Sequence, residues 1–259
     1  MRLTVPQRKF FIENGYIHLP GVVPPIMVRE ARRAINHSLG EEGMAKDQFH
    51  ILRSQTYCRE LTRQPVLLDL VNKTPALAIA ESLLAPGTLA PASDCQIALR
   101  FPSMTDKPGE PPHIDGRSTS NNGLPAGRIE HFTMLAGVLL SDMTEPNCGN
   151  FTVWPGTHRL FEAYFRQHTP QSLLNGMPKI DLPEPVAIQG RAGDVVLTHY
   201  QLAHSVSPHI GPDIRYALFF RFARTDHDRF GWDVMTAIWA EWDGLRDLVG
   251  ERSDAPQPV

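Results

Sequence analysis

His113 and Asp115 stand two residues apart in the stretch PPHIDG. On a strand, alternate residues project to one face, so an imidazole and a carboxylate at this spacing can share a divalent metal. Chance placement of 11 His and 15 Asp in 259 positions would give roughly 0.6 such tripeptides, so the pair needs a third ligand to acquire meaning. The segment GDVVLTHYQLAHSVSP offers two candidates, His199 and His204. Two histidines and one carboxylate on one face of a metal leave three positions open, the arrangement suited to non-haem Fe(II) and its reactions with O2. Arg215, in DIRYALFF, is expected on a strand paired with that of His204. A guanidinium buried beside a metal calls for an anion, and its planar fork matches a carboxylate. A keto acid such as 2-oxoglutarate would meet this need, chelating iron at one end and reaching Arg215 at the other.

The elements that must position these residues change character along the chain. Up to about residue 90 the pattern is helical: TVPQRKFFIENG with Thr4 as N-cap and Gly15 as stop, PPIMVREARRAINHSLG ending at Gly40, and QPVLLDLVNKTPALAIAESLLAPG restarting at Pro65 and Pro75. The stretch YIHLPG reads as a short strand and turn. From Asp94 to about residue 224, short strands alternate with turn chemistry: DCQIALRF, PPHIDG, EHFTMLAGVLLSD, GNFTVW, DVVLTH, AHSVSP and IRYALFFRFAR. Pro208 and the following GPD predict a tight hairpin between the last two strands. LFEAYFRQHTPQSLLNG reads as an inserted helix and loop, VMTAIWAEWDGLRDLVG (within 225–250) as a closing helix, and 251–259 as a disordered tail. The whole is read as one domain, mainly β with flanking α.

Composition narrows the partners. With 42% hydrophobic and 20% charged residues and a net charge of −3, nothing points to nucleic acid or an anionic membrane. The longest apolar run, MLAGVLL, is too short to span a bilayer, and the N-terminus lacks the apolar stretch of a signal peptide. Three widely spaced cysteines (Cys58, Cys95, Cys148) read as reduced thiols in a cytoplasmic protein. A small-molecule substrate and a monomer or homodimer are expected.

In order and spacing, HIDG, NCGNFTVWPGTHRL and GDVVLTHYQLAHSVSPHIGPDIRYALFF resemble the phytanoyl-CoA dioxygenase family of Fe(II)/2-oxoglutarate oxygenases. The opening FFIENGYIHLPGVV is similar too, so the resemblance covers nearly the whole chain. It implies a double-stranded β-helix (jelly roll, cupin-like) core with N-terminal helices packed on one side. It also selects His204 over His199, because Arg215 follows His204 by the family's eleven residues. Fe(II) would be held by His113, Asp115 and His204, with 2-oxoglutarate on Arg215 and O2 as second co-substrate. Gln96 and His131 fall where relatives contact 2-oxoglutarate. Val206 stands where many members carry a serine that helps hold it, which makes Thr133 a substitute candidate. The resemblance implies hydroxylation of an unactivated C–H bond with release of succinate and CO2. Desaturation, cyclisation or epimerisation would differ only in the fate of the substrate radical. Asp115 argues against a halogenase, in which a small residue opens that position to chloride.

The remaining polar residues have plainer readings. Arg100 alternates with Gln96 and Ala98 and is either a substrate contact or a solvated edge; Arg117 meets an acidic substrate or water. His199 reads as a satisfied histidine, His158 as one that orders its turn, and His209 and His227 as loop residues. The polar loop GRSTSNNGLPAGRIE is a candidate lid. A cupin-like metal protein without 2-oxoglutarate would keep the histidines but leave Arg215 unexplained, and a silent binding module on the same fold would have no use for intact ligands.

Overall fold

The computed structural model describes residues 2–105 and 109–249. Helix α1 (Val5–Asn14) starts where Thr4 and Gln7 exchange the two hydrogen bonds of a capping box, and ends at Gly15, whose φ of 77° suits glycine. The chain passes directly into β1 (Tyr16–Leu19). Helix α2 (Pro25–Glu41) runs one residue beyond the expected stop at Gly40, and buries Val28, Ala31 and Ile35. After the short α3 (Phe49–Ser54), α4 (Pro65–Asn72) and α5 (Pro75–Glu81) both begin at the expected prolines, whose missing N–H costs nothing in a first turn.

The strands form two antiparallel sheets. The larger takes β2 (Gln96–Arg100), β3 (Met134–Leu139), β6 (Val195–His199) and β8 (Arg215–Phe222) together with β1, in the order β1-β6-β3-β8-β2. The smaller joins β4 (Phe151–Val153), β5 (Val186–Ala187) and β7 (His204–Val206) in the order β5-β4-β7. Helix α6 (Thr157–His168) follows β4. Strand alternation gives the larger sheet two different faces. Ile97, Leu99, Met134, Leu218 and Phe220 belong to a core shared with α2, α4 and α5. Leu135, Val196 and Phe219 instead pack with Phe151 and Val153 of the smaller sheet. Gly137 makes this close packing possible: a Cβ there would lie 3.0 Å from the Phe219 ring, its cross-strand partner. The result is mainly β sheet with flanking helices, with Leu135, Val196 and Phe219 of the larger sheet packed toward the smaller one.

Four expectations change. β7 and β8 are not a hairpin, and Arg215 is not on a strand paired with that of His204: β7 pairs with β4, and β8 with β3 and β2. Residues 207–214 carry the chain from one sheet to the other, and Pro208 has no N–H with which to start a ladder. PPHIDG is not a full strand either. His113 makes an isolated bridge to His204, with backbone bonds of 3.1 and 2.9 Å, and Pro111 and Pro112 prevent its extension. The closing helix of 225–250 is broken into α7 (Asp233–Thr236), a 3-10 turn at Asp243–Leu245, and α8 (Arg246–Val249). Ala237 leaves helical geometry at φ −137°, ψ 66°, which allows Glu241 and Trp242 to turn inward. Finally, β5 lies outside the expected strands. The expected tail at 251–259 lies outside the described residues. Among the described residues, no helix is long and apolar enough to cross a membrane.

Candidate metal centre

His204 enters the site from β7, and the bridge to its backbone brings His113 alongside, with ring centroids 4.6 Å apart. Asp115 follows two residues later. One donor atom from each of His113, Asp115 and His204 lies within 4.8 Å of the other two. The Nε2 atoms of His113 and His204 stand 3.8 and 3.6 Å from Asp115 Oδ1. The opposite nitrogens fix the tautomers: His204 Nδ1 faces the Leu202 carbonyl at 3.0 Å and His113 Nδ1 that of Pro111 at 3.4 Å. With the proton donated there, each Nε2 keeps a free lone pair directed at the site.

Asp115 is held by a residue that the sequence reading missed. Arg221 places Nε 3.0 Å and an Nη 2.8 Å from Asp115 Oδ2, and also donates to Gln96 Oε1 at 3.2 Å. Burial alone would raise the Asp115 carboxyl, but Arg221, His204 and His113 together hold it well below the usual carboxylate range. Oδ2 is thus occupied by the guanidinium and Oδ1 is left to the histidines. The available signal was the period of two on β8, which puts Arg221 on the same inner face as Arg215, Ala217 and Phe219. Gly116, with φ 103°, turns the chain immediately after Asp115. A Cβ there would fall 2.6 Å from the Glu130 carbonyl oxygen and 2.9 Å from the Tyr200 hydroxyl.

Arg215 is buried, with 4% of its surface exposed, and donates to the Ala98 carbonyl at 3.0 Å. Its Nε has no hydrogen-bond partner, and among the described residues no ion pair joins it to Asp213. Burial, then the charge of Arg100, lowers its pKa well below the ordinary arginine value. Arg100 is no solvated edge: it is buried and pairs with Glu110 at 3.2 Å. Arg117 stays in the loop after the ligands, bridged to Ile129.

Two expected co-substrate contacts have other engagements. The Thr133 hydroxyl accepts from Arg224 N at 3.0 Å and donates to Glu241 at 3.1 Å, within a buried network. His131 Nδ1 lies 2.7 Å from His227 Nε2, and His227 Nδ1 lies 2.6 Å from Glu241. His227 is therefore a buried ion-pair residue and not a loop histidine. The ring of His131 borders Tyr200 and Trp232. His199 matches its reading as a satisfied histidine, whereas His158 bonds to α1 and not within its own turn. His199 faces the Ile238 carbonyl and accepts from Gln201 N, and burial drives its pKa down to about 4. His158 faces the Ile12 carbonyl. The loop from Gly116 to Glu130 is stitched by Ser118 and Asn122 and pinned to the helical layer by Gln55, which donates to the Asn121 carbonyl at 2.9 Å.

Two antiparallel sheets enclosing two imidazoles and one carboxylate define a chain of β-sandwich type with the donor set of a mononuclear metal site. The chain belongs to the phytanoyl-CoA dioxygenase family, whose model matches residues 11–217. No match was found among curated proteins. Solved structures share the fold. HygX from Streptomyces hygroscopicus, with nickel and 2-oxoglutarate bound, is 19% identical over 87% of this chain and 88% of its own, with a TM-score of 0.59. The carbocyclase SnoK of nogalamycin biosynthesis is 22% identical over 85% and 83%, with a TM-score of 0.57. EctD from S. alaskensis, with bound Fe, is 19% identical over 85% and 76%, with a TM-score of 0.55.

Proposed function

We propose that this chain is a non-haem Fe(II)/2-oxoglutarate-dependent dioxygenase that hydroxylates an unactivated C–H bond of a small molecule, with release of succinate and CO2. The observation that carries this reading is the convergence of His113 Nε2, His204 Nε2 and Asp115 Oδ1, with both tautomers fixed and the carboxylate kept ionised by Arg221. This donor set suits Fe(II), which when bound supplies the activation of O2 and the cleavage of the C–H bond. HygX holds 2-oxoglutarate and EctD holds iron, which supports the same pair here.

The chain's own residues do the rest. Arg215 offers an unpaired buried guanidinium nitrogen to the distal carboxylate of 2-oxoglutarate. Arg221 orients Asp115, and Gln96 steadies Arg221. Phe151, Phe219 and Phe132 wall the site with apolar surface that excludes water. Arg100 belongs beside Arg215 on the co-substrate side, and the substrate meets the site from the loop that carries Arg117. Asp115 fills the position a halogenase would leave to chloride; desaturation, ring closure or epimerisation would use the same residues. The two sheets are the halves of a double-stranded β-helix, and the chain acts as a single cytoplasmic domain, monomer or homodimer. Purified protein supplied with Fe(II), 2-oxoglutarate, ascorbate and O2 should release succinate, and His113→Ala should abolish that release; succinate formation surviving in the variant would remove the iron assignment.

A further inference from the structure

Arg100 and Arg215 are directly opposed across the β2–β8 ladder, so both side chains rise from the inner face of the sheet. Exposed to only 9% and 4%, both have an Nε atom without a hydrogen-bond partner. Arg53 of α3 joins Arg100 through Glu110: Glu110 Oε1 takes Arg53 Nε at 3.0 Å and an Arg100 Nη at 3.2 Å. Two guanidinium groups thus share one carboxylate, and the third, Arg215, lies cross-strand from Arg100 with no ion pair of its own among the described residues. Two buried like charges side by side cost free energy unless an anion is expected between them. The cluster also adjoins the metal ligands. Glu110 is fastened to β7 through its N–H on the Val206 carbonyl and its carbonyl on Ser205 Oγ at 2.6 Å, in the strand that carries His204.

We propose that Arg100 is a second guanidinium for the co-substrate's distal carboxylate, so that the pair Arg100/Arg215, and not Arg215 alone, selects a dicarboxylic keto acid. The inference rests on the 2-oxoglutarate reading above and deepens it. It also accounts for Val206: the carboxylate loses a serine hydroxyl at that position and gains a charged donor from the opposite strand. Glu110 then acts as the resident counter-ion of Arg100, and the incoming carboxylate completes the pairing that one glutamate cannot.

The test compares 2-oxoglutarate with 2-oxopentanoate, which has the same chain but a methyl group in place of the distal carboxylate. Binding to the Ni(II)-loaded protein is measured by calorimetry for wild type, Arg100→Gln, Arg100→Lys and Arg215→Gln. Arg100→Gln should weaken 2-oxoglutarate about ten- to a hundredfold, the range for a charge-assisted hydrogen bond, and leave 2-oxopentanoate unchanged. Arg100→Lys, which keeps the charge and the Glu110 pairing without the fork, should fall between. A merely structural Arg100 would weaken both keto acids alike, and that result, or no change in either, overturns the proposal. If Arg215→Gln loses 2-oxoglutarate while Arg100→Gln keeps it, only Arg100 is refuted. If wild type does not distinguish the two acids, the 2-oxoglutarate reading itself falls.

Discussion

Glu241→Gln tests whether the buried network behind the site behaves as an ion pair. Glu241 is 3% exposed and His227 is 6% exposed. Glu241 Oε1 receives both His227 Nδ1 at 2.6 Å and the Thr133 hydroxyl at 3.1 Å. Burial by itself pulls His227 down, but the hydrogen bond and charge of Glu241 outweigh it, so its folded pKa lies above the ordinary 6.5. A group raised in this way contributes stability that is fully present below its unfolded pKa and is lost as pH rises through the folded one. Removing one partner of a buried pair costs about 3–5 kcal/mol. Glutamine still accepts from Thr133, and His227 can shed its proton, so the lower end, about 3 kcal/mol, applies near neutral pH. For a chain of this size that is roughly 6–12 °C in Tm. In the variant burial, the largest influence on His227, is opposed only by His131 and Asp228, so the imidazole resists protonation more than in wild type and the gap should widen as pH falls from about 8 to about 5.5. Thermal unfolding followed by circular dichroism across that range measures it. A gap that stays constant, or narrows on acidification, would refute the buried imidazolium–carboxylate pair.

Three further outcomes are expected. Ni(II) at a hundredfold excess over its Kd should stabilise the protein by about 2.7 kcal/mol, and Asp115→Ala should abolish that increment; a thermal shift retained in the variant places the ion elsewhere. Arg221→Gln frees Asp115 Oδ2 and should reduce succinate formation about ten- to a hundredfold, so unchanged turnover would remove its role in orienting the ligand. Gly116→Ala forces a Cβ to within 2.6 Å of the Glu130 oxygen at φ 103°, and should cost about 1–3 kcal/mol together with metal affinity, measured by denaturant unfolding and calorimetry. Unfolding and calorimetry curves that overlay wild type would show the turn is not what sets Asp115.

The parts of the fold legible in the sequence are those governed by local chemistry. Thr4 with Gln7, Gly15, Pro65 and Pro75 mark helix ends because caps and first turns are decided by a few neighbouring residues. The closing helix failed for the opposite reason. Residues 233–249 carry helix-forming residues, yet Trp242 stacks on His199 and Glu241 pairs with His227, and these distant contacts outweigh local propensity. The partners of Thr133 were illegible for the same reason, since Arg224 and Glu241 lie far along the chain. Arg221 escaped notice because an arginine on a strand with an exposed end reads as solvated until Asp115 is seen across from it.

Arg215 was singled out through a strand pairing that does not exist, yet it is buried and its Nε has no hydrogen-bond partner. The eleven residues from His204 to Arg215 do not make a hairpin; they pass from the smaller sheet to the larger through a loop in which Ile210, Pro212 and Asp213 are exposed. Had β7 and β8 been neighbours in one ladder, alternation would have set the imidazole and guanidinium side by side on one surface, sharing a face without a gap. Placed on different sheets, they are not adjacent in one ladder; in the proposed function a chelating ligand would bridge them, with its keto-acid end at the histidines and its far carboxylate at Arg215. The spacing therefore encodes a passage from one sheet to the other and not an adjacency in one ladder. In the proposed arrangement Arg100, cross-strand from Arg215, would stand at the far end of the ligand, a place that its alternation with Gln96 and Ala98 alone does not distinguish from a contact to substrate.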